Sequence, residues 1–194
     1  MLGGRLLGAS CYDRLDIARR AVAAGADYVA FGSVFPSPTK PGAVRAPLTL
    51  FGQARALVHG ERNLVANAAN LSALLWHALP RLNWCGFYLY DGTELVVGPF
   101  QGKPACIRIA IGRGVCGTAA QTRETQLVRD VNAFAGHIAC DAASQSEIVV
   151  PLVKADGSLL GVWDVDSPVT DRFDEDDRAG MEALCAVFMD AVQG

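Results

Sequence analysis

Residues 49–194 predict an α+β domain in which helices pack on one face of an antiparallel sheet. Three observations carry that class. Apolar runs with alternating character flank Asp91-Gly92, and a second pair flanks Asp156-Gly157; Asp-Gly between such runs is the strongest short hairpin signal. Helical periodicity dominates 49–58 and 62–79 ahead of the hairpins. It returns over about 174–192 after them, where Met181, Leu184, Cys185, Phe188 and Val192 form one apolar stripe. Residues 1–48 read differently, as one piece of a β/α repeat.

In chain order, Asp13 caps a predicted helix whose apolar positions are Leu15, Ala18, Ala21 and Val22, with Gly25 as its left-handed stop. A strand over 27–31 follows, with Cys11 placed just after an earlier one. A proline- and glycine-rich loop then runs from Gly32 to Gly42. After the two helices, the strand 84–90 places Trp84, Gly86 and Tyr88 on one face and Cys85, Phe87 and Leu89 on the other, because side chains alternate. The strand 94–98 returns beside it. A strand over 105–111 leads through Gly112-Arg113-Gly114 into a short helix near 116–122. The second hairpin pairs 146–153 with 159–166.

Composition sets the bounds. The 194 residues are 51% apolar and 19% charged, which is the balance of a globular chain. A net charge of -3 without a basic run argues against nucleic acid as a partner. No apolar run approaches the ~20 residues of a membrane helix, so no membrane partner is expected. The opening Met-Leu-Gly-Gly-Arg-Leu-Leu is too short in its apolar part for a secretion signal, so a cytoplasmic location is expected. Six cysteines in a reducing compartment are then core residues, metal ligands or redox groups, rather than a structural disulfide framework.

Cys85 and Cys185 group with apolar neighbours and read as core thiols. Cys106, Cys116 and Cys140 stand at positions that local packing does not explain. Cys116 falls at a predicted helix start, where the dipole favours a thiolate. A zinc site built from His137, Cys140, Cys106 and Cys116 is the rival reading, but it lacks a Cys-x-x-Cys knuckle. Asp164 and Asp166 share a strand face with Val162, and Glu147 should lie across the hairpin from them. Three carboxyls in one pocket would suit an ammonium group, or raise one another's pKa by repulsion. The bland alternative is that this strand end simply reaches solvent.

The segments 70–92, 98–109, Gly112–Ala119, Gly136–Asp141, Ser146–Val153, Asp164–Pro168 and Asp171–Asp177 resemble the GAF-fold free methionine-(R)-sulfoxide reductases, over about three quarters of the chain. The resemblance implies a GAF-like antiparallel sheet flanked by helices. It also implies reduction of free methionine-(R)-sulfoxide through a sulfenic acid and an intramolecular disulfide, with no bound cofactor, with thioredoxin as reductant and with a homodimer as precedent. Cys140 then matches the nucleophile, Cys106 the resolving thiol, Cys116 a third participant and Glu147 the proton donor. Asp164 and Asp166 match carboxylates that hold the substrate ammonium and polarise the sulfoxide, and Trp84 and Tyr88 would wall its methyl-sulfinyl group. Cys85 and Trp163 depart from the family's usual aliphatic residues. A GAF-type small-ligand sensor is one alternative function.

Residues 1–48 resemble a late segment of thiamine-phosphate synthase, a (β/α)₈ barrel, with Ser37, Thr39 and Lys40 at phosphate-loop positions and Gly32-Ser33 as a remaining phosphate contact. A closed barrel needs ~200 residues. The fragment is therefore expected to be non-functional, with the junction near 47–52. The other alternative function, resting on residues 1–48 alone, is a residual thiamine-phosphate synthase module.

Overall fold

A computed structural model describes Gly8–Tyr12, Arg20, Ala23, Ala24, Tyr28–Phe31 and residues 48–193 apart from Ala139. Contacts divide the chain into two units, Met1–Arg45 and Ala46–Gly194. In the first, β1 (Gly8–Tyr12) and β2 (Tyr28–Phe31) pair in parallel, with Gly8 opposite Tyr28. Parallel neighbours need a crossover between them, which is the β/α repeat read from the sequence. Cys11, expected just after a strand, lies within β1. Most of the helix expected after Asp13, and the loop carrying Ser33, Ser37, Thr39 and Lys40, lie outside the described residues.

The second unit begins with α1 (Leu48–Val58) and α2 (Leu64–Ala78). Asn63 starts α2 by accepting from the Ala66 N–H with its side chain, at 3.0 Å. Then come β3 (Trp84–Tyr90), β4 (Glu94–Gly102), β5 (Arg108–Ala110), α3 (Gly114–Thr122) and β6 (Gln126–Val128). The chain closes with β7 (Ser146–Val153), β8 (Leu159–Ser167) and α4 (Glu175–Gln193). Among the described residues, no helix is long and apolar enough to cross a membrane.

Six strands form one antiparallel sheet in the order β5-β4-β3-β8-β7-β6. Both Asp-Gly hairpins are present. Asp91 Oδ1 accepts from the Thr93 and Glu94 N–H groups, which holds the first turn. Strand alternation then sorts the core into two faces. Cys85, Phe87, Ile148, Val150, Trp163 and Val165 face α1, α2 and α4, where Phe87 stacks on Trp163 at 4.6 Å. Trp84, Tyr88, Val149 and Val162 face the other way, onto Val115, Cys116, Ala119 and Ala120 of α3. The helices therefore lie on both faces, not one. α3 stands opposite the other three because the tight Gly112–Gly114 bend folds it back over the sheet; both glycines have positive φ, 80° and 60°.

The strand expected over 105–111 is only three residues long, so Cys106 sits before it in irregular chain. β4 runs on to Gly102, four residues beyond the expected 98. β3 and β8 touch backbone to backbone at Gly161, where a Cβ would lie 2.1 Å from the Tyr88 carbonyl oxygen. Gly161→Ala is thus expected to push the two central strands apart and to destabilise the domain by about 3 kcal/mol. Urea denaturation measures this, and an unchanged midpoint would rule out the close approach.

Candidate active site

Seven of the eight candidate residues sit on the α3 side of the sheet or in the loop above it, and all eight line one cavity or border it. Trp84 and Tyr88 come from β3, Glu147 from the start of β7, and Asp164 and Asp166 from β8. Register brings the acids together: Glu147 lies opposite Asp166, and Val149 opposite Asp164. Cys116 reaches the cavity from the first turn of α3, and Cys140 from the loop before β7. Cys106 does not line the cavity; it is joined to Cys140 by a disulfide, with Cα atoms 5.5 Å apart. Trp84 stacks between Tyr88 and Phe100, at 5.5 and 5.3 Å between ring centres. The two rings make an apolar wall beside the acids.

Asp164 and Glu147 are buried, so this strand end does not reach solvent. Cys116 Sγ and carboxyl oxygens of Glu147 and Asp164 all lie within 4.8 Å of one another. Burial, reinforced by the neighbouring Asp164 and Asp166, pushes the Glu147 pKa well above the usual carboxyl range. Burial likewise raises Asp164 to about 7 and lifts Asp166 well above its ordinary value. Glu147 thus keeps its proton near neutrality and can give it up. His137 Nε2 lies 3.8 Å from Glu147 Oε2, and burial lowers the histidine's pKa, so this contact is between neutral groups.

The dipole argument for Cys116 fails. It occupies the third position of α3, but burial, Asp164, Glu147 and Asp166 together push its pKa well above 9. Full burial next to three acids outweighs the half charge of a helix end. Cys116 remains a neutral thiol that donates to Glu147 Oε1 at 3.8 Å. The four-ligand zinc reading also fails here, because Cys106 and Cys140 are bonded to each other. Cys116, Glu147 and Asp164 remain as a group of three potential ligand atoms.

Other groups were not foreseen. Ser144 is buried, donates to Asp166 Oδ2 at 3.2 Å and accepts from the Asn83 amide at 2.9 Å. Asn83 also donates to Asp141 Oδ2, while Lys103 pairs with Asp141 Oδ1 at 3.3 Å. Backbone and side-chain donors, first the Ala143 N–H, hold Asp141 below the ordinary carboxylate range. Arg113 lines the cavity at the start of α3, and no side chain caps that helix. The single signal in the sequence was position, since Asn83, Lys103, Arg113 and Asp141 lie inside the segments that carry the resemblance and Ser144 lies between two of them. Among the described residues, the buried side-chain atoms without a hydrogen-bond partner include three at or beside the cavity: Asn83 Oδ1, Trp84 Nε1 and Asp164 Oδ1.

Comparison with known proteins places this arrangement. The GAF domain model matches residues 68–192, and the thiamine monophosphate synthase model matches residues 1–68. The chain spans only 25–26% of the thiamine-phosphate synthases it matches. The free methionine-R-sulfoxide reductase of Escherichia coli is 53% identical over 131 residues, which is 68% of this chain and 79% of that protein. A solved structure described as a GAF sensor protein from Burkholderia vietnamiensis is 71% identical, with a TM-score of 0.73, over 75% of this chain and 95% of that one. The free methionine-R-sulfoxide reductase from Neisseria meningitidis, solved in complex with its substrate, is 43% identical with a TM-score of 0.71, over 74% and 86% of the two chains. With its sheet, cysteines and acids in this arrangement, and with these matches over most of its length, the chain belongs to the GAF-fold family of free methionine-R-sulfoxide reductases.

Proposed function

We propose that this chain reduces free L-methionine (R)-S-oxide to L-methionine with its own thiols, in the cytoplasm, and is reset by thioredoxin. The observation that carries the reading is the Cys106–Cys140 disulfide, with Cys140 in the wall of a cavity lined by protonated acids. Starting from the reduced pair, the Cys140 thiolate attacks the sulfoxide sulfur. Glu147 protonates the oxygen, which is too poor a leaving group as oxide. As the bond between Cys140 and the methionine sulfur breaks, the hydroxyl passes from that sulfur to Cys140, so methionine departs and Cys140 is left as a sulfenic acid. Cys106 attacks that sulfur, water leaves and the disulfide closes. Two thiols and the sulfoxide thereby become one disulfide, methionine and water.

The cavity has two electrical ends. Asp164, raised only to about 7, can give up its proton to become the carboxylate partner of an α-ammonium group, with Asp166 beside it and Asp164 Oδ1 unpaired. Arg113 and the uncapped start of α3 suit an α-carboxylate. Trp84 and Tyr88 wall the methyl-sulfinyl end. A peptide bond on either side removes one of the two charges. Leaving a buried charge unpaired costs about 3–5 kcal/mol, or more than a hundredfold in affinity.

The test is turnover with thioredoxin, its reductase and NADPH. Free methionine-(R)-sulfoxide should be reduced, and its N-acetyl derivative at least ~100-fold more slowly. Equal rates on the two would sink the zwitterion reading, and no turnover of either would sink the reductase.

A further inference from the structure

We infer that the apolar rim formed by Ile107 and Ile138 around the Cys106–Cys140 bond is the docking surface for the dithiol protein that reduces it. This rests on the thiol mechanism proposed above and adds to it the surface that recognises the reductant.

Among the described residues, four large apolar side chains are exposed: Leu57, Val65, Ile107 and Ile138. Two of the four lie within two residues of the disulfide. Ile107 follows Cys106 directly and is 70% exposed; Ile138 precedes Cys140 by two residues and is 37% exposed. Cys106 and Cys140 are themselves half-buried rather than enclosed in the core. Exposed apolar side chains grouped on both stretches of chain beside a reactive bond offer a partner a contact surface that scattered single residues do not.

The rim is also held in place. The Ile107 carbonyl accepts from the Val97 N–H at 2.9 Å, immediately before β5 begins at Arg108. Ile138 lies against Gly114 at the start of α3. A surface that needs no ordering loses little entropy on association. Of the cations near the bond, Lys103 pairs with Asp141 and Arg108 with Asp91 and Glu94, while Arg113 lines the cavity. The rim adds an apolar contact that these charges do not supply.

The bond at the centre fixes what the occupant must carry. A thiolate of the partner attacks one sulfur of the disulfide, and the other sulfur leaves as a thiolate and takes a proton. The partner's second thiol loses its proton, attacks the mixed disulfide and closes a disulfide in the partner. Two electrons and two protons pass from the partner's dithiol to Cys106 and Cys140. A small dithiol such as dithiothreitol does the same chemistry without needing a rim, which separates docking from catalysis.

The experiment compares the wild type with Ile107→Asp, on free methionine-(R)-sulfoxide, reduced either by thioredoxin with its reductase and NADPH or by dithiothreitol. Ile107 is outside the cavity lining, so the rate with dithiothreitol should stay within twofold. KM for thioredoxin should rise tenfold or more. An unchanged KM for thioredoxin overturns the inference and leaves the reductase reading intact. Absence of wild-type turnover with both reductants overturns that reading instead. Sedimentation velocity covers the competing occupant: a dimer that Ile107→Asp converts to monomer would assign the rim to a second copy of the chain and overturn the inference.

Discussion

Replacing Cys140 with serine is expected to abolish turnover, by on the order of a thousandfold or more, because removal of a covalent nucleophile leaves only binding and electrostatics. The companion variants give the assignment its content. Cys106→Ser should complete one turnover and stop, with a sulfenic acid on Cys140 that dimedone captures as a single adduct in the mass spectrum. It loses the thiol that closes the disulfide seen here, and nothing else in the acid pocket. Cys116→Ser should retain the first turnover, because its thiol is neutral and buried beside Glu147. Full activity in Cys140→Ser, together with loss in Cys116→Ser, would move the nucleophile to Cys116.

The second large effect concerns stability and has an unusual sign. Burial raises Asp164 from 3.8 to about 7, so the folded chain holds a proton that the unfolded chain releases above about pH 4. The associated stability is complete below the unfolded value and is lost as pH rises toward 7. Above that, the folded chain carries a buried carboxylate. A shift of about three units is worth about 4 kcal/mol at 1.36 kcal/mol per unit.

Asp164→Asn removes the ionisable group. It should melt about 5–10 °C above the wild type at pH 8, and above it by only about a third of that margin at pH 5. Turnover should fall by about a hundredfold, through loss of the ammonium partner. Thermal melts of both proteins at the two pH values measure the effect. A variant less stable than wild type at pH 8 would show that Asp164 is ionised and paired instead. Stability given up for a binding site is the pattern expected where unfavourable burial serves function.

Much of this site was legible because strands alternate. Parity alone put Trp84 and Tyr88 on one face, Cys85 and Phe87 on the other, and Asp164 with Asp166. The Asp156-Gly157 hairpin carried Glu147 to Asp166. What depended on tertiary packing was not legible. β6 is a three-residue edge strand, too short to show alternation, and it exists because β7 offers it a free edge. The face chosen by α3 follows from the path of a glycine bend, not from periodicity. The Cys116 argument went astray for the same reason, since a helix start is visible in sequence and the depth of the acids around it is not. Ser144 and Asn83 carry no motif; their importance lies in which oxygen of Asp166 or Asp141 they meet.

The two-faced sheet has a consequence for the thiols that take no part in the reaction. Cys85 is adjacent in sequence to Trp84, in the cavity wall, yet its side chain projects into the opposite core, as does Cys185 from α4. One thickness of hydrogen-bonded backbone stands between them and any sulfenic acid on Cys140. On the proposed thiol mechanism, the sheet is an insulating partition that keeps Cys85 and Cys185 from cross-linking with the cysteines on its other side.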